Sequence, residues 1–251
     1  MIEESVPSQW KMLQDSVCRI LNECGYHAES PKKIDVVRGQ VEVDVYAIDE
    51  KSQPQIIYIC ECKNWDKRIP QEVVHSFRTV VNDSGAHIGM IISSKGFQSG
   101  AYEAAKSTNI KLLSWEEFQN EFCDRWYEEF FMPTLHHAND PLVEYTEPIN
   151  SRIQRKADLL EKEAFERFLM LRKKYELLSY FAMGLYIPLM SKKYSRPSLP
   201  IDSATIKGKV NDCDLPENIF SAKSYRGLLN VLLPNIEQAI SEFNKMFGER
   251  A

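Results

Sequence analysis

One strand-like segment of the chain ends with an acid and a base two residues apart. In YICECKNW (58–65), the two-residue period of a β-strand puts Glu61 and Lys63 on one face and Cys60 and Cys62 on the other. A Glu-x-Lys triplet arises by chance roughly once in a chain of this length, and this chain contains a single one. Its position at the end of an apolar run is therefore more informative than the triplet itself.

A second acid lies in the preceding strand-like segment. In VEVDVYA (41–47), the same alternation puts Glu42, Asp44 and Tyr46 on one face and the three valines on the other. We expect a short hairpin to bring this segment beside the strand that carries Glu61 and Lys63. Two adjacent strands would then present two carboxylates and an ammonium group together.

Two carboxylates beside a lysine suit the hydrolysis of a phosphodiester bond. The reaction needs a group that neutralises the charge of the transition state and a group that activates water. Mg²⁺, a hard ion that takes oxygen ligands, does both. A lysine next to the ion can orient or deprotonate the attacking water. The alternative is a structural salt bridge at a strand end, which uses the same residue types.

The elements expected to position these residues alternate between helices and strands. Apolar residues at three- and four-residue steps predict a helix over 7–24, with Trp10, Leu13, Val17 and Leu21 on its inner face. Strands are predicted twice within 34–48 and over 55–63, 87–93 and 110–113, and helices over 70–85, 97–107 and from Ser114. The resulting order, αβββαβαβα, predicts an α/β domain.

The C-terminal part of the chain reads as mostly helical. We place a domain boundary after residue 132, which gives domains 1–132 and 133–251. A stretch with several turn formers (134–151) precedes a long helical pattern over 152–185, a polar loop over 190–218 and a last helix around 221–247. The long helix carries more apolar surface than one helix can bury, so we expect it to pack on the last helix or on a second subunit.

Composition and charge narrow the class of protein. Of 251 residues, 43% are hydrophobic and 27% charged, values typical of folded globular proteins. The net charge of −5 excludes binding to nucleic acid through overall basicity, so any phosphate contact must be local. Six scattered cysteines and an N-terminus without a signal pattern favour the cytoplasm, and no apolar run approaches the roughly 20 residues of a membrane span.

Several segments together resemble a known enzyme family. RGQVEVDVYA, IYICECKNW, HIGMIISSKGFQSGA and NIKLLSWEEF are similar to the Mrr-like branch of the PD-(D/E)XK nuclease superfamily, over residues 10 to about 120. The resemblance implies the restriction-endonuclease-like fold, a mixed central sheet flanked by helices. It further implies that Asp44 bridges the metal, Glu61 is the second ligand and Lys63 is the catalytic lysine. Cys62 would contribute its backbone carbonyl oxygen to the metal.

Gln14 and Gln71 are compared with the corresponding positions in members of the same branch. Relatives commonly carry a glutamate on the first helix, and Gln14 stands at that position here. Its amide can hold a metal-bound water but brings no charge, which puts a second metal site in doubt. Gln71 begins the helix after the lysine strand, where some relatives place a polar residue that faces the site. A solvated helix surface is the alternative for Gln71.

A phosphate of the substrate is expected near the next strand. Ser94, Lys95 and Gln98 stand where an apolar strand meets the start of a helix, a place where free backbone amides favour anions. The alternative is an ordinary turn with a helix cap.

These observations lead to one functional hypothesis and two rivals. The hypothesis is a Mg²⁺-dependent DNA endonuclease of restriction or phage defence, with Mn²⁺ able to substitute and with a homodimer cutting both strands. The first rival is a catalytically inactive nucleic-acid-binding or interaction module, which the uncharged Gln14 favours. The second rival is a nuclease that acts on RNA or branched DNA.

Overall fold

The computed structural model describes residues 1–187, 196–203 and 215–248. Most of the polar loop predicted over 190–218 lies outside the described residues. The chain divides into two compact units, Met1–Glu129 and Phe130–Ala251. Each unit is described by itself below.

The N-terminal unit alternates helices with seven strands. Its helices are α1 (Trp10–Glu23), α2 (Gln71–Asp83), α3 (Ser99–Ala105) and α4 (Trp115–Trp126), the last followed by a π-helical turn (Tyr127–Phe131). Its strands are β1 (His27–Glu29), β2 (Lys32–Val36), β3 (Gly39–Val43), β4 (Val45–Asp49), β5 (Ile56–Lys63), β6 (Ile88–Ser93) and β7 (Ile110–Ser114). The sequence prediction missed β1 and counted two strands where β2, β3 and β4 lie.

Five of the strands form a mixed central sheet in the order β1-β4-β5-β6-β7. The β1–β4 and β4–β5 pairs are antiparallel, whereas β5–β6 and β6–β7 are parallel. Strands β2 and β3 form a separate two-stranded sheet. The mixed sheet flanked by helices that the resemblance implied is therefore confirmed.

The first helix buries the face that its periodicity predicts, with one exception. Leu13, Val17 and Leu21 are fully buried, and Gln14 beside them is only 4% exposed. Trp10 was expected on this inner face but is 63% exposed. The expectation is wrong for Trp10 because it is the first residue of α1, where the helix has not yet reached the sheet.

The chain changes sheets at Asp44. Strand β3 ends at Val43 in the two-stranded sheet, and β4 begins at Val45 in the central sheet. The prediction that Val43 and Tyr46 face opposite ways is wrong, because both pack in the core cluster under α2. A continuous strand would have separated them by its two-residue period, and the break at Asp44 interrupts that period.

Parallel strand β6 lies close beneath α2. A Cβ added to Gly89 would stand 2.6 Å from a methyl group of Val81 and 2.7 Å from one of Ile110. Glycine at this position therefore allows the helix and the sheet to approach closely. The contact sets how closely the C-terminal end of α2 approaches the sheet.

The last helix of this unit is capped as predicted. The Ser114 hydroxyl accepts a hydrogen bond from the Glu117 amide (3.2 Å), and the Glu117 carboxylate accepts one from the Ser114 amide (2.7 Å). This reciprocal capping box starts α4 immediately after β7.

The described part of the C-terminal unit is helical. It contains α5 (Met132–Thr146), α6 (Ser151–Ala157), α7 (Lys162–Tyr186), α8 (Asn218–Ser221) and α9 (Tyr225–Met246). The turn-rich segment predicted over 134–151 is wrong, because α5 runs to Thr146. Pro133 stands in the first turn, where no amide donor is needed, and the buried Leu135 and Leu142 hold the helix through Pro141.

The single helix predicted over 152–185 is two helices. The chain leaves the helix between Ala157 and Lys162, and Leu159 in this break is 87% exposed. The expected packing of the long helix on the last helix is confirmed: Phe168 of α7 meets Phe243 of α9 with ring centroids 6.0 Å apart. Within the described ranges, no helix is long and apolar enough to cross a membrane.

Candidate active site

Asp44 is held at the junction between the two sheets by backbone contacts on both sides. Its Oδ2 accepts a hydrogen bond from the backbone amide of Cys62 (2.7 Å). Its own carbonyl oxygen accepts one from the Gln14 side-chain amide (2.7 Å). The break in the strand therefore has a fixed geometry, with the Asp44 carboxylate directed at the end of β5.

Glu61 and Lys63 stand on one face at the end of β5, as their spacing predicts. Their side chains form an ion pair and are 25% and 20% exposed, respectively. Burial raises the pKa of Glu61, the Lys63 ammonium lowers it in part, and the Asp44 carboxylate raises it further. The pKa of Glu61 thus depends on both neighbours, which shows that all three charged groups lie within electrostatic reach.

The backbone of Cys62 faces Asp44. A residue in a β-strand directs its N–H and its C=O to the same side of the strand. Because the Cys62 amide donates to Asp44, the Cys62 carbonyl points to that side as well. The opposite side of β5 is occupied by β6, where the Ser94 amide donates to the Lys63 carbonyl (3.2 Å).

These groups fit a hard divalent cation by the chemistry of their donors. Asp44 has one carboxylate oxygen left after its bond to Cys62, Glu61 supplies a second carboxylate, and the Cys62 carbonyl is a third oxygen. Mg²⁺ takes such oxygen ligands and commonly completes its shell with water. Among the described residues, no three His, Cys, Asp or Glu side chains are grouped to hold a metal by themselves. The backbone carbonyl and water would therefore have to complete the set.

Gln14 contacts the backbone next to the candidate site. Its side chain is almost fully buried and donates to a backbone carbonyl. The prediction that it holds a metal-bound water is not tested by this contact. What the contact does establish is that Gln14 acts on the site through the backbone of Asp44.

A cavity of about 410 Å³ opens beside Glu61 and Lys63. Strand β3 and helix α2 form its apolar walls, which are lined by Val41, Val43, Val73, Phe77 and Val80. The tip of the β2–β3 hairpin is tied to the end of α2, because the Val37 amide donates to the Asp83 carbonyl (3.1 Å). The two elements that border this open cavity are therefore joined by a backbone hydrogen bond.

Polar groups of the cavity include residues that the sequence analysis did not single out. Glu42, Glu72 and Ser76 line it together with Glu61 and Lys63, and so does the ring of Trp65. Trp65 could have been noticed as an aromatic residue two positions after Lys63. Glu72 and Ser76 are four residues apart on α2 and so share a helix face, but nothing in the sequence shows which face meets β5.

The residues predicted to bind phosphate lie on the loop after β6, which is joined to the loop after β5. The Ser94 hydroxyl donates to the Trp65 carbonyl (3.4 Å), and the Gln98 side-chain amide donates to the Arg68 carbonyl (3.5 Å). The backbone amides of Ser94, Lys95 and Gln98 donate to protein oxygens already. A phosphate here would therefore meet side chains, among them the exposed Lys95, rather than free amides.

Gln71 does not line the cavity. It is exposed at the start of α2, and its side-chain oxygen lies 3.0 Å from the place where a Cβ on Gly100 would stand. The structure therefore places Gln71 against α3, and Glu72 is the residue of this turn that faces Glu61 and Lys63.

Comparisons with known proteins agree with this arrangement. Residues 7–122 match the model of a family, Mrr_cat, described as restriction endonuclease. A search of curated proteins finds no match. A solved structure titled "Crystal Structure of Protein of Unknown Function AF1548" aligns with 16% identity and a TM-score of 0.40, over 67% of this chain and 98% of that chain. At that TM-score the likeness supports no conclusion about fold or function.

The matched range begins three residues before α1 and ends within α4, and so contains the whole central sheet. It also contains Asp44, Glu61 and Lys63. Residues 7–122 therefore resemble the Mrr_cat restriction endonuclease family, consistent with the Mrr-like branch of the PD-(D/E)XK nucleases.

Proposed function

We propose that this protein is a Mg²⁺-dependent DNA endonuclease whose active site consists of Asp44, Glu61 and Lys63. The observation that carries the proposal is the meeting of these three groups at the end of β5 inside the domain that matches the restriction endonuclease family. Mn²⁺ would substitute for Mg²⁺, since both accept oxygen ligands. A role in restriction or phage defence, in the cytoplasm and as a homodimer, is part of the same proposal.

Each residue has a distinct task in this mechanism. Asp44, Glu61 and the Cys62 carbonyl would hold the metal, which when bound lowers the pKa of water and neutralises charge on the phosphate. The Lys63 ammonium, now paired with Glu61, can hydrogen-bond the attacking water or a phosphate oxygen. Gln14 and the Cys62 amide keep the Asp44 carboxylate and its backbone in place.

Partial burial explains why a metal and a lysine would act together here. Glu61 is less acidic than usual because of burial and because Asp44 is near. A cation between the two carboxylates would favour their charged forms. With a metal on Glu61, the Lys63 ammonium, now paired with that carboxylate, would be available to contact the substrate.

The test is cleavage of supercoiled plasmid, methylated and unmethylated, with Mg²⁺, with Mn²⁺ and with EDTA. Wild-type protein should nick or linearise the plasmid only with metal. Asp44→Ala and Lys63→Ala should each reduce the rate at least a hundredfold, the loss expected for a group that stabilises the transition state. Lys106→Ala, an exposed lysine on the connection between α3 and β7, is the matched control and should cut like wild type.

The outcomes separate the proposal from its rivals. If wild-type protein binds plasmid but does not cut it with either metal, the inactive binding module replaces the nuclease. If RNA or branched DNA competes for cleavage far better than plasmid, the substrate assignment fails while the active site stands.

A further inference from the structure

The cavity between β3 and α2 lies beside the cleavage residues but is built unlike a phosphate site. Its walls are largely apolar, and Glu42, Glu61 and Glu72 are among the residues that line it. Carboxylates that no cation balances repel the phosphate backbone of a nucleic acid, so the part of the cavity away from Lys63 and the proposed metal ligands does not favour a phosphate. A flat, largely apolar group that donates hydrogen bonds suits the same walls and carboxylates.

Apart from Lys63, which lines the cavity and pairs with Glu61, the cations near the site lie on the two joined loops. Lys67, Arg68 and Lys95 are exposed on the loops that follow β5 and β6. In the part of the chain that the structure describes, none of the three forms an ion pair. A nucleic-acid backbone would therefore track over these loops. Its bases would then be within reach of the cavity.

Trp65 belongs both to the cavity and to the loops that carry the exposed cations. Its ring is 38% exposed and lines the cavity, and the ammonium groups of Lys63 and Lys67 lie 5.6 Å and 5.8 Å from the ring centre. The loop that carries it is anchored, because the Trp65 carbonyl accepts from Ser94 and the Asn64 side chain donates to the Pro7 carbonyl (3.3 Å). An anchored, half-exposed indole beside cations is a stacking platform for a base.

We propose that the cavity binds one unpaired nucleobase of the strand being cut, with Trp65 stacked on the base and Glu72 accepting a hydrogen bond from its exocyclic amino group. The volume of about 410 Å³ falls within the range of small-ligand sites, roughly 300–1,000 Å³. Carboxylates read amino groups such as N4 of cytosine, which thymine lacks. This inference rests on the proposed nuclease function and names its substrate class, nucleic acid with unpaired bases, because an unpaired base costs least to unstack.

The first experiment compares the binding of fluorescein-labelled (dC)12 and (dT)12 to the full chain, with Ca²⁺ in place of Mg²⁺ so that nothing is cut. The two oligonucleotides carry the same backbone charge and differ in the exocyclic amino group. Binding of (dC)12 should be about tenfold tighter than that of (dT)12. A 12-base-pair duplex of mixed sequence should bind more weakly than (dC)12. Equal affinities for (dC)12 and (dT)12 would overturn the assignment.

Variants of α2 test whether the cavity is the place of recognition. Ser76 is exposed and lines the cavity, so Ser76→Phe fills the space without disturbing the core. It should bring the affinity for (dC)12 down to that for (dT)12. Thr79→Phe, also exposed on α2 but outside the cavity, is the matched control and should keep the cytosine preference. If Ser76→Phe retains that preference, the cavity is not the base site.

The role of Trp65 is tested by oligonucleotide affinity and by fluorescence quenching, which reports stacking. Trp65→Ala should weaken binding of both oligonucleotides about tenfold, and Trp65→Phe should restore most of it. All four tryptophans lie within residues 10–126, and quenching of their fluorescence by (dC)12 should diminish strongly in Trp65→Phe. Unchanged quenching in that variant would exclude Trp65 as the platform.

Plasmid cleavage distinguishes the failure of this inference from the failure of the nuclease proposal. If wild-type protein cuts plasmid but shows no cytosine preference, the cavity assignment is wrong and the nuclease stands. If it never cuts but loses a measured cytosine preference in Ser76→Phe, the nuclease proposal is wrong and the base site stands.

Discussion

Two hydrogen bonds define the position of Asp44, which distinguishes it from neighbouring residues in the sequence. One is the Cys62 amide, which bonds its carboxylate, and the other is the Gln14 side chain, which bonds its carbonyl. A buried donor such as the Gln14 amide stabilises a junction only while its acceptor is present. The uncharged Gln14 on α1 is explained by the backbone carbonyl of Asp44, which needs a hydrogen-bond donor.

Replacement of Gln14 by glutamate is therefore expected to destabilise the N-terminal unit. A carboxylate cannot donate to the Asp44 carbonyl and would be buried against it, at a cost of about 2 kcal/mol. Urea unfolding followed by tryptophan fluorescence measures this unit, because all four tryptophans lie in it. Gln55→Glu, an exposed glutamine, should leave the midpoint unchanged.

The opposite result would change the interpretation of the site. If Gln14→Glu leaves the stability intact and increases the rate of Mg²⁺-dependent cleavage, the position is a metal-ligand position that this chain has lost. The role of Gln14 as a donor to the backbone would then be wrong.

Among the elements, β4 and α4 are joined by a two-pronged ion pair. Arg125 donates from Nη1 to Oδ2 of Asp49 (2.6 Å) and from Nη2 to Oδ1 (2.9 Å), and Asp49 is only 5% exposed. The Arg125 guanidinium, with further help from the Ser52 hydroxyl, lowers the pKa of Asp49 to about 2. The pair locks the helix to the strand whose first residue follows Asp44.

Stability should therefore fall in acid through Asp49. Its folded-state pKa lies below its unfolded value of about 3.9, so the contribution of about 2 kcal/mol is complete above about pH 4 and is lost as the pH falls towards 2. Asp49→Asn should be less stable at pH 7, and the difference from wild type should shrink between pH 4 and pH 2. Urea unfolding across that range measures it.

An exposed acid provides the comparison for Asp49. Asp15→Asn, on the solvent face of α1, should follow the wild-type stability at every pH. A difference between Asp49→Asn and wild type that stays constant down to pH 2 would show that the carboxylate charge of Asp49 contributes nothing to the fold.

Because the whole molecule has a net charge of −5, nucleic acid must bind through a local cationic surface. The exposed Lys67, Arg68 and Lys95 on the loops after β5 and β6 provide it. Each phosphate contact releases counterions, so the logarithm of the binding constant falls with the logarithm of the salt concentration.

Removal of Lys95 should change this salt dependence. Lys95→Ala is expected to reduce the slope by about 1 and to weaken binding uniformly across sequences. Binding of labelled oligonucleotides between 50 and 200 mM salt, roughly the range over which such contacts are lost, measures the slope. Lys106→Ala, at the end of α3 away from these loops, should leave it unchanged. If the salt dependence of binding is unaltered in Lys95→Ala, the nucleic-acid backbone does not contact Lys95.

The sequence by itself determined the local elements and the spacing of the charged residues. Periods of two and of three to four residues predicted β5, α1 and α2, and the Ser114 capping box predicted the start of α4, because these signals depend on neighbours within one turn or strand. The same local logic placed Glu61 and Lys63 on one face of β5.

Only the tertiary structure decided how distant residues meet. The break at Asp44, the Gln14 contact with it and the cavity between β3 and α2 join residues 14 to 80 through sheet order and packing, which no local period encodes. The helix through Pro141 and the interruption of the predicted 152–185 helix show the same dependence. In the helix through Pro141, burial of Leu135 and Leu142 outweighs the local preference of the backbone.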